Sequence, residues 1–272
     1  MMYNWEKGLS MSFFNNMDRD ALAALKARGI RQLELSFSHD DYYGRFDLPH
    51  RAKEWKALLD EFGLSVWSLH LPFSAVWDIS APTFRETVDS DIELMRAAAL
   101  MGAKVAVVHP SFEPIENGDR PLRFERARIS ICRLSGAAQA FGMTLGVENL
   151  PRTCLGNTSE EMCRLLTDTG AHFLFDTNHS LSEDNVHFLR TMLNAGFCPV
   201  SLHISDYDFV DERHDLPGTG VNRWHELLEL LRSGRYAGPA LYEIRHVVNE
   251  HRILSFEQVA DNMELLLAGK ID

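Results

Sequence analysis

Apolar residues recur along the chain in a repeated arrangement, in which an amphipathic helical segment ends at a glycine and a short apolar run follows. The copies read ALKARGIRQLELSF, LLDEFGLSVWSLHLPF, AALMGAKVAVVHP, AQAFGMTLGVENLP, LLTDTGAHFLFDTNH, TMLNAGFCPVSLHISD and, with a longer connection, LLRSGRYAGPALYEIR. Near-continuous apolar runs are typical of parallel strands that are covered on both faces. The repeat therefore predicts helices that alternate with parallel strands.

Glycine marks the helix end in every copy of this repeat. We expect each of these glycines to adopt a positive φ as a helix C-cap, a conformation that costs glycine little. They are Gly29, Gly63, Gly102, Gly142, Gly170, Gly196 and Gly234.

An opening strand over Gly8–Phe14 and a closing helix over Ser255–Leu267 complete eight strand–helix units. The helices between them are predicted over Asp18–Arg28, Arg51–Phe62, Thr83–Met101, Leu122–Phe141, Ser159–Thr169, Asp184–Asn194 and Arg223–Arg232. Eight such units close into a barrel, whereas an open doubly wound sheet usually has fewer units and a glycine-rich first turn. No G-x-G-x-x-G or G-x-x-x-x-G-K-[ST] occurs. We therefore expect an α/β fold with one (β/α)₈ TIM barrel domain spanning residues 1–272.

Composition narrows the classes of function. The chain has 45% hydrophobic and 24% charged residues, which excludes a disordered or collagenous protein. Its 27 Lys and Arg against 39 Asp and Glu give a net charge of −12, so it has no electrostatic reason to bind nucleic acid or anionic membranes. The four cysteines form no C-x-x-C pair, the first residues lack the charged-then-apolar layout of a secretion signal, and no apolar run approaches ~20 residues. We expect a soluble, cytoplasmic protein with a small-molecule substrate.

The predicted strand ends carry the candidate chemistry, as the active sites of TIM barrels do. Six successive strands end in a histidine, a glutamate or an aspartate: His70, His109, Glu148, Asp176, His203 and Glu243. Convergent carboxylates need cations or protons to be tolerated, and carboxylates with imidazoles are the ligands of divalent metals. We predict a site for Mn²⁺, Mg²⁺, Co²⁺ or Zn²⁺ at Glu148, Asp176, His203 and Glu243. Additional metal or substrate contacts are expected from His70, His109, His179, Glu212 and His214.

Three weaker features leave alternatives open. Glu34, on the second strand, either faces the site or pairs with an arginine. The segment Pro217–Gly220 precedes a helix, and such a glycine turn either binds an anion or only shapes the loop. Aromatic residues near the strand ends are expected in the core rather than over a substrate: Trp67, Phe73, Trp77 and Phe112.

The ordered strand ends LHLP, VVHP, VEN, FDTNH, LHISD, ERH-x-x-PGTG and YEIR resemble the xylose-isomerase-like barrel superfamily over nearly the whole chain. This superfamily includes sugar and sugar-phosphate isomerases and epimerases as well as endonuclease IV. Resemblance to its ketose 3-epimerases implies a single metal held by Glu148, Asp176, His203 and Glu243. It also implies that Glu148 and Glu243 act as the bases and that His179 touches the substrate. These residues suit proton transfer through an enediolate, because a bound metal acidifies the carbon-bound proton and two carboxylates can move it.

The endonuclease IV branch matches as well and implies a three-zinc centre. Its ligand positions fall on His70, His109, Glu148, Asp176, His179, His203, Glu212, His214 and Glu243. Glu212 departs from this pattern, because the nuclease has an aspartate there, and the net charge argues against a DNA surface. Xylose isomerase itself has a lysine two residues past the glutamate, whereas Leu150 stands there in this chain, so a hydride shift is not expected.

The leading hypothesis is therefore a divalent-metal-dependent isomerase or epimerase of a small ketose, sugar phosphate or related polyol. The alternatives are a three-zinc phosphodiesterase of the endonuclease IV type and a catalytically silent barrel that binds a sugar. Barrels of this kind often pair through their outer helices, which makes a homo-oligomer an option, although no face in the sequence marks an interface.

Overall fold

Eight parallel strands form the centre of the computed structural model, which describes residues 2–14, 17–249 and 252–272. They are β1 (Lys7–Ser10), β2 (Gln32–Ser36), β3 (Ser65–His70), β4 (Val105–Val108), β5 (Thr144–Glu148), β6 (His172–Asp176), β7 (Pro199–His203) and β8 (Ala240–Tyr242). Their order around the sheet is β7-β6-β5-β4-β3-β2-β1-β8, and neighbouring strands pair in parallel. The predicted (β/α)₈ TIM barrel is confirmed.

The barrel closes between β7 and β8. The N–H of Ile204 donates to the Leu241 carbonyl at 2.8 Å, and the N–H of Glu243 donates to the Ile204 carbonyl at 3.1 Å. These bonds join Ile204, just beyond the end of β7, to Leu241 within β8 and to Glu243 just beyond it, and they place His203 and Glu243 on neighbouring strand ends.

Helices surround the strands as predicted, with ends close to the predicted ones. They are α1 (Arg19–Ala27), α2 (His39–Tyr43), α3 (Leu48–Phe62), α4 (Phe84–Leu100), α5 (Arg120–Ala140), α6 (Ser159–Leu166), α7 (Asn185–Asn194), α8 (Trp224–Ser233) and α9 (Phe256–Leu267). Ser255 and Gln258 form a capping box that satisfies backbone donors at the start of α9. In the part of the chain that the structure describes, no helix is long and apolar enough to cross a membrane.

Three short elements differ from the prediction. The first strand ends at Ser10, and Met11–Phe13 forms a 3-10 helix. Met11 and Phe13 are both buried, so their alternation with Ser12 imitates the pattern of a strand. The short helix α2 and the antiparallel strand pair of β9 (Val247–Asn249) and β10 (Arg252–Ile253) are not predicted from the sequence, because such brief segments show no clear periodicity.

Six of the seven C-cap glycines have the expected positive φ, between 66° and 90°. The expectation is wrong for Gly234, whose φ is −72°, and Arg235 adopts the left-handed conformation instead, with a φ of 61°. A Cβ at Gly234 would lie 2.7 Å from Cδ2 of Leu193 on α7. Gly234 therefore allows α7 and α8 to approach closely rather than providing the positive φ.

The interior of the barrel has a small apolar core of its own below the strand ends. It consists of Val105, Val107 and Leu174, with Trp67 and Val200 packed against them. The pairing of β2 with β3 skips Trp67, and the pairing of β6 with β7 skips Val200. Such β-bulges redirect side chains and are common next to active sites. Trp67 belongs to this core, as expected, and its indole N–H donates to Ser201 Oγ at 3.1 Å.

Candidate metal centre

Four strand ends deliver the predicted metal ligands to one point. Glu148, Asp176 and His203 are the last residues of β5, β6 and β7, and Glu243 directly follows β8. One ligand atom from each of the four lies within 4.8 Å of the others. The side chains of Glu148, Asp176 and His203 are fully buried, and that of Glu243 is 15% exposed. The arrangement is a compact set of three carboxylates and one imidazole.

The His203 imidazole lies between carboxylates on both sides. Its Nδ1 is 3.0 Å from Glu148 Oε1 and 3.1 Å from Glu243 Oε2. Its Nε2 is 3.0 Å from Oε2 of Glu34 on β2. Burial alone would lower the pKa of His203, but the charges of Glu34, Glu243 and Glu148 outweigh it and hold this pKa well above its usual value.

Glu34 faces the site, which resolves the alternative left open by the sequence. It is completely buried, and its Oε2 accepts hydrogen bonds from Ser68 Oγ at 2.8 Å and from His203. Its partners are thus a hydroxyl and an imidazole rather than an arginine. Glu34 therefore lies behind the imidazole, on the side away from the other three carboxylates.

The three carboxylates have different electrostatic environments. Burial raises the pKa of Asp176, and its Oδ2 has no hydrogen-bond partner among the described residues. Burial would also raise the pKa values of Glu148 and Glu243, but nearby histidines, His203 first, lower both below the usual value. A buried carboxylate oxygen that accepts no hydrogen bond is costly, and a cation would compensate for it, as the His179 ring 3.5 Å away does in part. The donor set suits Mn²⁺, Mg²⁺ or Co²⁺.

Two predicted histidines lie beside Glu148. The Nε2 atoms of His70 and His109 are 3.2 Å and 3.1 Å from Glu148 Oε2. The ligand atoms of these three residues also lie within 4.8 Å of one another. His70 Nδ1–H donates to the Leu71 carbonyl at 2.8 Å, which fixes the ring orientation. Both histidines are thus placed to stabilise the negative charge of Glu148.

A third group, nearer the rim, contains His179, Glu212 and His214. The Nδ1–H of His179 donates to the Asn149 carbonyl at 3.0 Å, and Nε2 is 3.1 Å from Glu212. Since both ring nitrogens face acceptors, His179 is cationic in this arrangement. Burial opposes this charge, but Asp176 and Glu148 raise the pKa of His179 well above its usual value.

Glu212 already has several cationic partners. Besides His179, the guanidinium groups of Arg152 and Arg245 lie 3.2 Å and 3.5 Å from its Oε1. The hydrogen bond from His179 lowers the pKa of Glu212 in spite of partial burial. His214 Nδ1 lies 3.3 Å from the Glu243 carbonyl. The charge of Glu212 is therefore balanced without a metal ion.

Two asparagines position candidate ligand residues, and the sequence analysis does not single them out. Asn149 donates from Nδ2 to the Asp176 carbonyl at 2.9 Å, and its Oδ1 accepts from the Asp176 N–H at 2.8 Å. Asn178 Oδ1 accepts from the backbone N–H groups of Arg213 and His214 at 2.8 Å and 3.0 Å. The sequence does contain a signal for both: Asn149 directly follows Glu148 in VEN, and Asn178 lies two residues after Asp176 in FDTN, so each stands beside a strand-end carboxylate.

The loop Pro217–Gly220 holds a carboxylate of the protein itself. Asp206 accepts hydrogen bonds from the N–H of Gly218 at 2.9 Å, the N–H of Asn222 at 3.1 Å and the indole N–H of Trp224 at 3.0 Å. A Cβ at Gly220 would lie 2.1 Å from the Tyr207 carbonyl oxygen. The anion position at the start of α8 is therefore filled by Asp206, and the glycine permits a close backbone approach.

Two aromatic residues expected in the core lie at the barrel mouth instead. Phe73 is 47% exposed, and its ring centroid lies 5.0 Å from that of His70 and 4.2 Å from that of His109. Trp77 is partly exposed and stacks on His39 at 3.6 Å. Because β3 ends at His70, the following loop carries both aromatic residues across the mouth. Phe112 is partly buried, and its N–H donates to Asp78 at 3.0 Å.

Comparison with known proteins agrees with this fold. Residues 22–266 match the family described as xylose isomerase-like TIM barrel. None of the curated proteins matches the sequence. A D-tagatose 3-epimerase-like protein of known structure is 21% identical, with a TM-score of 0.79 over 96% of this chain and 95% of that chain. D-Psicose 3-epimerase from Clostridium cellulolyticum H10 is 18% identical, with a TM-score of 0.79 over 97% and 98%. The 3-keto-D-glucoside 4-epimerase from E. coli is 19% identical, with a TM-score of 0.75 over 97% and 100%.

Proposed function

The chain belongs to the xylose isomerase-like TIM barrel family, and we propose that it is a divalent-metal-dependent isomerase or epimerase of a small ketose or related polyol. The observation that carries the proposal is the convergence of Glu148, Asp176, His203 and Glu243 at the mouth of the barrel. The similar structures named as sugar epimerases support it.

Those four side chains would hold the ion, through three carboxylates and the Nδ1 atom of His203. The unpartnered Oδ2 of buried Asp176 and the carboxylates around Nδ1 fit a cation at this place. A bound divalent ion polarises a substrate carbonyl oxygen and thereby acidifies the proton on the neighbouring carbon.

Glu148 and Glu243 would move the proton. They lie at the ends of β5 and β8, which flank β6 and β7, so their carboxylates approach the centre from different sides. Both have pKa values below the usual range, which keeps them ionised and able to accept a proton. One carboxylate would remove the proton from carbon, and the other would return a proton on the opposite face.

His179 would contact the substrate. Its cationic ring lies 3.4 Å from Glu148 and 3.5 Å from Asp176, at the edge of the ligand set. A cationic donor in this position stabilises negative charge that develops on a substrate oxygen.

Isotope exchange tests the proposal. The Mn²⁺-loaded protein is incubated in D₂O with D-fructose, D-tagatose, D-psicose and L-ribulose, and deuterium at the carbon next to the carbonyl is measured by NMR. We expect incorporation with at least one ketose, loss of it in Glu148→Gln and Glu243→Gln, and full retention in Glu257→Gln, a change of an exposed residue. Exchange that persists in both site variants, or no exchange with any of these ketoses, contradicts the proposal.

The three-zinc phosphodiesterase is the second candidate, because the predicted ligands form four groups, of which His179, Glu212 and His214 share no residue with the others. It is less favoured, since Glu212 in the third group is already balanced by His179, Arg152 and Arg245. The net charge of −12 also opposes DNA binding. Metal analysis of protein purified without chelator separates the two: one ion per chain agrees with the isomerase or epimerase, and three zinc ions favour the nuclease.

A further inference from the structure

A cavity of about 490 Å³ opens at the mouth of the barrel, over the ends of β1, β2 and β3. Its wall combines aromatic rings with hydroxyl groups. It includes Ser12, Ser36, His39, Phe73, Ser74 and Trp77. The volume lies within the range of roughly 300–1,000 Å³ that is usual for pockets that bind small organic ligands.

The cavity borders the candidate metal centre. Ser36 lies two residues beyond Glu34 on β2 and is in register with His70 on β3. Since residues two apart on a strand share a face, Ser36 and Glu34 both point into the barrel. Phe73, in the cavity wall, packs against the rings of His70 and His109, which contact Glu148. The cavity and the candidate metal centre are therefore adjacent, with Phe73 and the two histidines at their common border.

The wall suits a neutral sugar ring. The C–H face of a pyranose packs against aromatic rings, and its hydroxyls bond to serine hydroxyls and imidazoles. Phe73 is exposed, and Trp77 is held in place by stacking at 3.6 Å with an interplanar angle of 19° on His39. Trp77 is thus preorganised before a ligand arrives, and Phe73 is positioned by its contacts with the rings of His70 and His109.

A phosphorylated ligand is disfavoured. Among the described residues that line the cavity there is no lysine or arginine, and Asp40 adds a negative charge. The second place where a TIM barrel commonly binds phosphate, the loop before a late helix, is filled by the Asp206 carboxylate.

We propose that the substrate is an unphosphorylated glycosyl-ketose, with its ketose unit at the metal centre and a second, neutral sugar ring in the cavity beside Phe73 and Trp77. The position of the ketose unit rests on the proposed function, whereas the assignment of the cavity rests on its own wall. A neutral substrate with two sugar units would occupy the metal centre and the cavity at the same time.

Equilibrium binding tests this inference without turnover. Calorimetry on the Mn²⁺-loaded protein compares D-fructose and D-fructose 6-phosphate with two glycosyl-fructoses, lactulose and isomaltulose, which carry the second ring at different positions. We expect at least one disaccharide to bind about tenfold more tightly than fructose, because a buried sugar face adds apolar contact, and the phosphate ester to bind no better than fructose. Phe73→Ala and Trp77→Ala should each remove most of this gain. Phe209→Ala, a change at a similarly exposed phenylalanine outside this cavity, should keep it.

The inference is overturned if neither disaccharide binds more tightly than fructose, if fructose 6-phosphate binds best, or if the gain survives in both aromatic variants. Circular dichroism and metal content of each variant show that fold and metal centre are intact. Isotope exchange keeps the two proposals apart. The exchange experiment therefore also includes lactulose and isomaltulose. Exchange with fructose but no disaccharide gain rejects the second ring alone, and disaccharide binding without exchange of any ketose, the two disaccharides included, rejects the proposed catalysis alone.

Discussion

Glu34 Oε2 lies 3.0 Å from His203 Nε2, on the side of the imidazole opposite to the other three carboxylates. A hydrogen bond from Nε2–H to Glu34 leaves Nδ1 directed toward Glu148 and Glu243. Carboxylates behind metal-binding histidines commonly fix the tautomer and orientation of the ring. Glu34 is therefore a positioning residue for the proposed metal centre.

Replacing Glu34 by glutamine should weaken metal binding. The amide is a poorer acceptor for Nε2–H, so the imidazole is oriented less firmly, and loss of such a partner typically lowers metal affinity ~10–100-fold. Titration of metal-free protein with Mn²⁺ in the presence of a competing chelator dye measures the change. Glu257→Gln, at an exposed position, should bind as the parent protein does. Equal affinity in Glu34→Gln and the parent would show that Glu34 has no positioning role.

Replacing Asp206 by asparagine should destabilise the fold. The Asp206 carboxylate accepts from three backbone N–H groups, those of Tyr207, Gly218 and Asn222, as well as from Trp224. An asparagine amide turns an NH₂ group toward some of these donors, and each unsatisfied buried group costs about 1–3 kcal/mol. Urea unfolding should show that the free energy of unfolding falls by at least this amount. Asp20→Asn, on the exposed surface of α1, should change the free energy of unfolding little. A loss no larger than that of this control would contradict the role of Asp206.

Asp91 should make stability depend on pH. It is 1% exposed on α4, neither carboxylate oxygen has a hydrogen-bond partner in the described part of the chain, and burial raises its pKa well above the usual value. The folded state therefore keeps this proton at pH values where the unfolded chain, with a pKa near ~3.9, has lost it. Stability should fall as the pH rises from about 4 toward the folded-state pKa, by up to ~1.4 kcal/mol per pH unit.

Asp91→Asn should remove this decline, because asparagine does not titrate. Urea unfolding at pH 5 and pH 8 measures the change in the free energy of unfolding between the two pH values. Glu86→Gln, on the exposed face of the same helix, is the control. If the asparagine variant and the parent lose the same stability between the two pH values, the buried acid is not its source.

Arg235→Gly should stabilise the protein. Arg235 has a φ of 61°, and a left-handed conformation costs a residue with a Cβ roughly 1–2 kcal/mol, part of which glycine loses again as chain entropy. We expect a net gain of up to ~1 kcal/mol in the free energy of unfolding. Arg232→Gly, inside α8, should instead lose ~1 kcal/mol. A loss of stability in Arg235→Gly would mean that the arginine side chain contributes more than its backbone conformation costs.

The topology could be predicted because each strand–helix unit repeats the same local signals. Glycines at helix ends and apolar strands gave the order of the elements, and strand ends gave Glu148, Asp176, His203 and Glu243 as neighbours. The carboxyl ends of all the parallel strands lie at the same end of the barrel, so residues at the ends of successive strands become neighbours in the structure.

Long-range partners could not be predicted in the same way. Glu34 and His203 lie 169 positions apart and meet across the barrel interior, and the β-bulge at Trp67 that accompanies this packing leaves no periodic signal. Asp206 fills the anion position only because the loop from Gly218 to Asn222 folds back onto it. Phe73 is a large apolar residue of the kind usually found in a core. It is exposed because β3 ends at His70 and the following loop carries Phe73 across the barrel mouth.

Closure of the ring has a consequence for how the protein matures. The first strand is held by the last through the pairing of β1 with β8, and the ligands are spread from Glu148 to Glu243. A nascent chain that has not yet extended past β8 lacks both its final wall and one carboxylate. At the proposed metal centre, high-affinity binding of an ion would therefore require the complete barrel. A bound ion would then link the last-synthesised strand to the others and oppose its local opening.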